Sequence, residues 1–202
     1  MTQNFKGDVL RQLTHDRIVG YVEICIMNIS SENKTALLIV DMQENLLDPD
    51  SKMHIDVTTI SGVIKKVNDM VLDFERRKMP VFYIVNEFTN PFMNLVTRNV
   101  CKKGARGTGL HPLLRRANQE LYHKSANDAL TNQQLLGELK NNGVKEICVV
   151  GVFAEHCVKA TVTSAIRHNF GVTVIAGGVG GRNERSKGRA LRACLKKGAH
   201  II

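Results

Sequence analysis

Short apolar runs of strand length alternate with segments of helical periodicity, and this alternation most limits the folds open to the chain. Residues 36–40 and 81–85 are almost wholly apolar, which is typical of strands buried on both faces of a parallel sheet. Between the two runs, six apolar residues recur at the spacing of one helix face: Ile60, Val63, Ile64, Val67, Val71 and Phe74. The pattern predicts an α/β fold with three αβα layers and a doubly wound, mainly parallel sheet.

The same alternation continues through the second half of the sequence. Three leucines at helical spacing, Leu135, Leu136 and Leu139, predict a helix that Asn142-Gly143 ends. Strands are predicted from 146 to 152, from 172 to 176 and from 199 to 202, with helices after Cys157 and from about 184 to 197. At 202 residues and 43% hydrophobic content, the chain suits one α/β domain over residues 35–202.

Residues 1–34 form an N-terminal extension to that domain. Residues 17–29 alternate loosely and are rich in β-branched side chains, which predicts an extra strand or hairpin. A translated leader that is disordered in solution is the alternative, and the sequence leaves both open.

Three polar residues occupy places where an α/β active site is expected. Asp41 follows ALLIV, Lys124 lies in YHKSANDAL, and Cys157 lies in GVFAEHCVKAT after a predicted strand. Ligands of open α/β sheets bind at the carboxyl ends of strands. A thiolate is the nucleophilic form of cysteine; a nearby lysine and a helix N-terminus would lower the thiol pKa, and a carboxylate could accept the thiol proton.

Each of these residues also has a structural interpretation without chemistry. Cys157 could be a buried structural thiol, and Asp41 could be a helix N-cap. Lys124 could be an exposed lysine in a polar turn. Residue types alone do not decide between these interpretations and the catalytic one.

The order and spacing of the motifs decide in favour of chemistry, because residues 35–202 resemble the isochorismatase-like cysteine hydrolases, a superfamily that includes nicotinamidases. The resemblance rests on Asp41-Met42-Gln43, on Lys124 with Ala129-Leu130 and Leu135, and on Gly151 with Cys157-Val158 and Ala160-Thr161. It implies the Rossmann-like fold of that superfamily.

The resemblance also implies a division of labour. Cys157 would be the nucleophile, Asp41 the general base and then the acid, and Lys124 their electrostatic partner. A cis peptide bond would join Val152 to Phe153, and the backbone N–H groups of Phe153 and Cys157 would form the oxyanion hole.

A substrate pocket is predicted from neighbouring positions. Glu155 and His156 adjoin the nucleophile in sequence, and Asn86, Glu87 and Phe88 follow the second strand. Nicotinamidases carry an Asp-x-His metal element there, whereas this chain has no histidine in residues 85–89. We therefore predict that the enzyme uses no metal and no other cofactor, and that nicotinamide is not its substrate.

The run Gly177 to Gly181 follows a predicted strand and precedes a predicted helix. It lacks both the GxxxxGK[ST] pattern and dinucleotide-binding spacing. A flexible loop is therefore predicted rather than a phosphate-binding loop.

The formal net charge of +9 raises the question of an acidic partner. Basic residues cluster between 98 and 116, and Arg185, Arg189, Arg192 and Lys196 share one helical face. A solvated amphipathic helix shows the same stripe, and 5% aromatic content without tryptophan argues against stacking on single-stranded nucleic acid. A small, anionic substrate is the preferred explanation, with no nucleic acid and no membrane as partner.

Cysteine usage and hydropathy predict a cytoplasmic protein. The five cysteines form no CxxC pair, and we find neither a cleavable leader nor an apolar run long enough to span a bilayer. We also expect a homo-oligomer.

The prediction that follows is a cysteine hydrolase that cleaves an amide-type C–N bond of a small metabolite through a thioester. The first alternative is an isochorismatase-type vinyl-ether hydrolase; such enzymes can lack the cysteine, so Cys157 favours C–N cleavage. The second is a basic interaction protein on an inactive hydrolase scaffold, which three intact catalytic positions argue against.

Overall fold

A single parallel sheet forms the centre of the computed structural model, which describes residues 34–202. Its six strands lie in the order β3-β2-β1-β4-β5-β6. They are β1 (Thr35–Val40), β2 (Val81–Asn86), β3 (Leu121–Lys124), β4 (Glu146–Gly151), β5 (Gly171–Val179) and β6 (His200–Ile201). Because every pair is parallel, all six carboxyl ends meet at one edge of the sheet.

Helices cover both faces of the sheet. They are α1 (Glu44–Leu47), α2 (Ile60–Arg76), α3 (Pro91–Val96), α4 (Gln133–Asn141), α5 (Lys159–Arg167) and α6 (Glu184–Lys196). The apolar face of α2 packs with Leu37 and Ile39 of β1 on one side. Helices α4, α5 and α6 pack with Leu38 and Val40 on the other. The predicted three-layer α/β fold is confirmed.

Strand β1 is the middle of the fold because its side chains are buried on both faces. All six of its residues are at most 1% exposed, as expected for a strand that has neighbours on both sides and helices above and below. Val40 pairs with Ile84 of β2 and with Gly151 of β4, so the chain leaves three adjacent strands at the same level.

Three elements were not anticipated from the sequence: the four-residue helix α1, strand β3 and helix α3. Strand β3 has only four residues and its burial alternates, so it gives no apolar run. Helix α3 begins at Pro91 after the N-cap Asn90, whose side chain accepts the Phe92 N–H, and exposes Phe92 and Leu95. Such a helix has no apolar face from which to predict it.

The expectation of a flexible loop at the glycine run is wrong, because Gly177 and Gly178 belong to β5. Close packing explains these glycines. A Cβ at Gly178 would lie 2.8 Å from Val150 Cγ1, and one at Gly180 would lie 2.6 Å from Ile55 Cδ1.

Two further points concern the end of α6 and the N-terminal extension. Leu195, in the last turn of the amphipathic helix α6, is 57% exposed. The strand, hairpin and leader interpretations of residues 17–29 fall outside the described residues. Within residues 34–202, no helix is long and apolar enough to cross a membrane.

The junction between β1 and β4 predicts a severe substitution at Gly151. This glycine has a φ of +120°, and a Cβ there would lie 2.0 Å from the carbonyl oxygen of Val40. We expect Gly151→Ala to lower the free energy of unfolding by about 3 to 5 kcal/mol in a urea titration, from backbone strain and overpacking.

Gly62 is the matched control because it lies in α2, where an added Cβ would have nothing within 4 Å. Gly62→Ala should stabilise the protein by up to about 1 kcal/mol through helix propensity. Equal stability of Gly151→Ala and the wild type would show that the two strand ends do not approach as described.

Candidate active site

The carboxyl edge of the sheet brings Asp41, Lys124 and Cys157 together. Lys124 Nζ lies 2.8 Å from Asp41 Oδ2 and 3.4 Å from Cys157 Sγ. Asp41 is 0% exposed, Lys124 4% and Cys157 6%. An exposed lysine in a polar turn is therefore excluded, and the residue that caps α1 is Gln43 rather than Asp41.

Strand register sets these positions. Asp41 directly follows β1, and its N–H donates to Ile84 O at 2.9 Å. Its φ of +54° is left-handed, a conformation that aspartate tolerates better than most residues. Lys124 ends β3, in register with Asn86 of β2. The ends of β1 and β3 therefore place opposite charges, those of Asp41 and Lys124, close together.

Asp41 is a carboxylate with free lone pairs. Burial raises its pKa above the ordinary 3.8, while the positive charge of Lys124 and a contact with the Cys157 thiol oppose that shift. Apart from the ion pair, neither carboxylate oxygen accepts a regular hydrogen bond from the described residues. The group is therefore placed to accept a proton.

Lys124 remains an ammonium in this setting. Burial by itself would lower its pKa, but the charge of Asp41, together with hydrogen bonds to Asp41 and Cys157, more than compensates, and the pKa is raised. Its third contact is a hydrogen bond to Ala126 O at 3.0 Å. A lysine fixed by three partners acts as a positive charge and not as a base.

Lys124 lowers the pKa of the Cys157 thiol, as expected, but the net shift is upward. Burial raises the thiol pKa, the Asp41 carboxylate raises it further, and the opposing effect of Lys124 is smaller. Its Sγ lies 3.7 Å from Asn127 Oδ1. A raised thiol pKa favours a mechanism in which a nearby base accepts the proton, and Asp41 is the neighbouring carboxylate.

Cys157 lies in a helical turn that begins earlier than expected. A π-helical turn, Ala154–Val158, precedes α5 and holds Cys157; we call it the catalytic turn. The peptide bond from Val152 to Phe153 is cis, in agreement with the sequence expectation.

The backbone N–H groups of the two residues that flank Phe153 already donate hydrogen bonds. Val152 N–H donates to Val40 O at 2.9 Å, and Ala154 N–H donates to Gly180 O at 2.8 Å. The Phe153 N–H donates to no backbone oxygen of the described residues. It is therefore available to a substrate oxygen, as the oxyanion-hole prediction requires.

Asn86 is the predicted pocket residue that lies nearest the charged pair. It is 4% exposed, pairs with Lys124 in the sheet register, and leaves its Oδ1 without a partner among the described residues. Gln43 holds the Asn86 backbone from both sides, because Nε2 donates to Asn86 O at 3.1 Å and Oε1 accepts the Asn86 N–H at 2.8 Å.

Gln43 and Asn127 were not among the predicted site residues. Gln43 is fully buried and holds the strand end that carries Asn86, and Asn127 contacts the thiol. The Asp-Met-Gln motif and the run SANDAL were the available signals for them.

The other predicted pocket residues have different surroundings. The Glu87 carboxylate lies 3.2 Å from His123 Nδ1, and Phe88 packs with Phe153 in the core on the α2 side. Glu155 and His156 line a cavity whose walls do not include Asp41, Lys124 or Cys157. Of the five, Asn86 therefore lies beside Lys124 in the sheet register, and Glu87 contacts Lys124 through its backbone N–H, which donates to Lys124 O at 2.8 Å.

Comparisons with known proteins agree with this architecture. The isochorismatase domain family matches residues 35–202. An uncharacterized isochorismatase family protein of Bacillus subtilis (strain 168), YddQ, is 27% identical over 142 residues, which are 70% of this chain and 74% of that protein. The nicotinamidase of Escherichia coli (strain K12) is 28% identical over 96 residues, which are 41% of this chain and 45% of that protein.

Solved structures share the fold at lower identity. The pyrazinamidase of Pyrococcus horikoshii, in complex with zinc, has a TM-score of 0.73 at 23% identity, covering 84% of this chain and 98% of that one. The N-carbamoylsarcosine amidase of Thermoplasma acidophilum has a TM-score of 0.69 at 22% identity, covering 83% and 95%.

The described residues of this chain do not fit a tetrahedral zinc site, although the pyrazinamidase structure is a zinc complex. Across residues 34–202, no three His, Cys, Asp or Glu side chains come close enough to hold one ion. At the end of β2 the chain offers the amide of Asn86 and the paired carboxylate of Glu87, and a tetrahedral zinc site needs more ligands than these.

The state of Asp41 predicts the pH profile of the activity. A protonated carboxyl cannot accept the thiol proton, and burial raises the Asp41 pKa above 3.8. We therefore expect kcat/KM to fall as the pH drops, with a midpoint above the usual carboxyl range of roughly 4. Asp41→Asn should lower kcat by about 10²- to 10⁴-fold.

The exposed carboxylate Glu44 provides the control, since it lies three residues from Asp41. Glu44→Gln should leave the acid limb of the kcat/KM profile where it is. An Asp41→Asn enzyme with wild-type kcat and the same acid limb would remove Asp41 from the mechanism.

Proposed function

The chain belongs to the isochorismatase family of hydrolases, and we propose that it is a metal-independent cysteine hydrolase that cleaves the C–N bond of a small amide or imide. The observation that supports this most strongly is the position of Lys124 Nζ, 2.8 Å from a carboxylate and 3.4 Å from a thiol. A neutral thiol, a base and a fixed positive charge suit nucleophilic catalysis.

In the proposed acylation, Asp41 accepts the proton of Cys157 as Sγ attacks the substrate carbonyl carbon. A C–S bond forms, and the carbonyl electron pair moves to the oxygen, which the N–H groups of Phe153 and Cys157 stabilise. When the carbonyl re-forms, the C–N bond breaks, and Asp41 gives its proton to the leaving nitrogen. Ammonia or an amine departs and a thioester remains.

Deacylation uses the same groups in the reverse order. Asp41 accepts a proton from water as the water oxygen attacks the thioester carbon. Collapse of the adduct breaks the C–S bond, and the proton returns from Asp41 to Sγ. Lys124 keeps its charge throughout and stabilises whichever of its two partners is anionic.

Two features support a small amide as the substrate class. Asn86 offers a buried amide beside the reacting groups, and an unpaired buried amide strongly favours a substrate that hydrogen-bonds with it. Relatives named as nicotinamidase and N-carbamoylsarcosine amidase support C–N cleavage. The net charge of +9 favours anionic substrates through attraction at long range.

Trapping of the acyl enzyme tests the proposal. Ammonia release is screened over small amides, ureides and lactams in the presence of EDTA, because no step uses a metal. With the best substrate, hydroxylamine should convert the thioester to a hydroxamate, whereas vinyl-ether cleavage by acid catalysis gives none. Cys157→Ala should form no hydroxamate and lose at least about 10³-fold in kcat.

Cys194→Ala is the matched control, since Cys194 is a buried thiol in α6 and should keep wild-type turnover. Normal turnover by Cys157→Ala would favour isochorismatase-type chemistry. Loss of activity in EDTA, with recovery on addition of zinc, would contradict the metal-independent route.

A further inference from the structure

The cavity lined by Glu155 and His156 lies between the catalytic turn and α6, and its walls do not include the three site residues. Its volume is about 280 Å³. Three permanently charged side chains line it, those of Lys159, Arg182 and Arg189, together with the imidazole of His156. None of the three cations forms a salt bridge with another described residue.

The only carboxylate among the described lining residues is Glu155, which is already engaged. Its Oε1 accepts the backbone N–H of Arg182 at 3.0 Å, and its Oε2 is buried without a partner in that part of the chain. Oε2 lies close to the backbone, because a Cβ at Gly181 would come within 2.9 Å of it. Three cations against one carboxylate leave two positive charges in a concave site, where the field is concentrated.

The end of α6 is not the source of this field. Asn183 caps the helix by accepting the Ser186 N–H at 2.8 Å, so that backbone amide already has a partner. The charge comes from side chains on three separate elements: α5, the segment before α6, and α6 itself. Arg185, Arg192 and Lys196 form an exposed stripe on α6 and do not line the cavity. The three cations that converge on the cavity are therefore distinct from that stripe.

We propose that this cavity is a binding site for a small oxyanion, namely the phosphate or carboxylate group of a metabolite. The guanidinium groups of Arg182 and Arg189 match the geometry of either group, and the Ser186 hydroxyl supplies a further donor. The volume suits a small molecule and not a polymer. The inference does not depend on the reaction that the active site performs.

A bound anion would act on the active site through the catalytic turn. Glu155 and His156 form one wall of the cavity and adjoin Cys157, while Arg189 lies on the opposite wall in α6. An anion between Lys159 and Arg189 would link α5, which directly follows the catalytic turn, to α6. Occupancy would therefore stabilise the region next to the turn that carries Cys157.

Titration with inorganic phosphate tests the site, with ³¹P line width or calorimetry as the readout and potassium chloride to hold ionic strength constant. A parallel titration with malonate distinguishes the carboxylate source from the phosphate source. We expect saturable binding of one anion per chain. Arg189→Gln and Lys159→Gln should each weaken it about tenfold, the loss of one charge-assisted hydrogen bond.

Arg192→Gln is the matched control because it removes the same charge from the exposed stripe of α6, outside the cavity lining. It should bind phosphate like the wild type, as should Cys157→Ala. Saturable binding of malonate alone would still support the site and identify a carboxylate ligand.

Three results would overturn the inference: no saturable binding of either anion, equal weakening by Arg192→Gln and Arg189→Gln, or loss of binding in Cys157→Ala. Equal weakening by the two arginine variants would mean that the overall positive charge of the surface attracts the anion. Loss of binding in Cys157→Ala would place the anion in the active site. Because Lys159 and Arg189 lie on different helices, at least one of their variants tests the site if the other fails to fold.

Discussion

The ion pair between Asp41 and Lys124 is the constraint on which the carboxyl edge of the sheet depends. Taking two charges out of water costs several kcal/mol for each ion, and only close geometry with further partners offsets that cost. Here the oxygen and nitrogen lie 2.8 Å apart, and Lys124 adds contacts to Ala126 and Cys157. Removal of either charge would leave the other buried and uncompensated.

Several local features are explained by the need to hold this pair. Asp41 leaves β1 in a left-handed conformation, and Gly151 lets the backbone of β4 approach Val40 more closely than any side chain would permit. Gln43 holds the end of β2 through hydrogen bonds to both the N–H and the carbonyl oxygen of Asn86. The same rigidity that stabilises the charges also presents the thiol to a base.

The sequence predicts elements that form a clear apolar run or motif. It does not predict features that depend on how closely side chains pack or on how much solvent they lose. Strands such as β1 follow from apolar runs, and Asp41, Lys124 and Cys157 follow from motif spacing. Strand β3 is too short to give a run, and the close packing around Gly178 is invisible without coordinates. The lowering effect of Lys124 on the Cys157 pKa could be expected from sequence, but the larger effect of burial, which raises that pKa, could not, because sequence does not show the loss of solvent. The convergence of Lys159, Arg182 and Arg189 likewise requires the fold.

A double-mutant cycle on the free energy of unfolding tests most directly whether Asp41 and Lys124 form a charged, buried pair. The wild type, Asp41→Asn, Lys124→Met and the double variant are unfolded in urea at neutral pH. Each single variant should lose about 3 to 5 kcal/mol, since each leaves one uncompensated charge. The double variant should lose less than their sum by about 2 kcal/mol or more. Costs that add within about 0.5 kcal/mol would contradict the account.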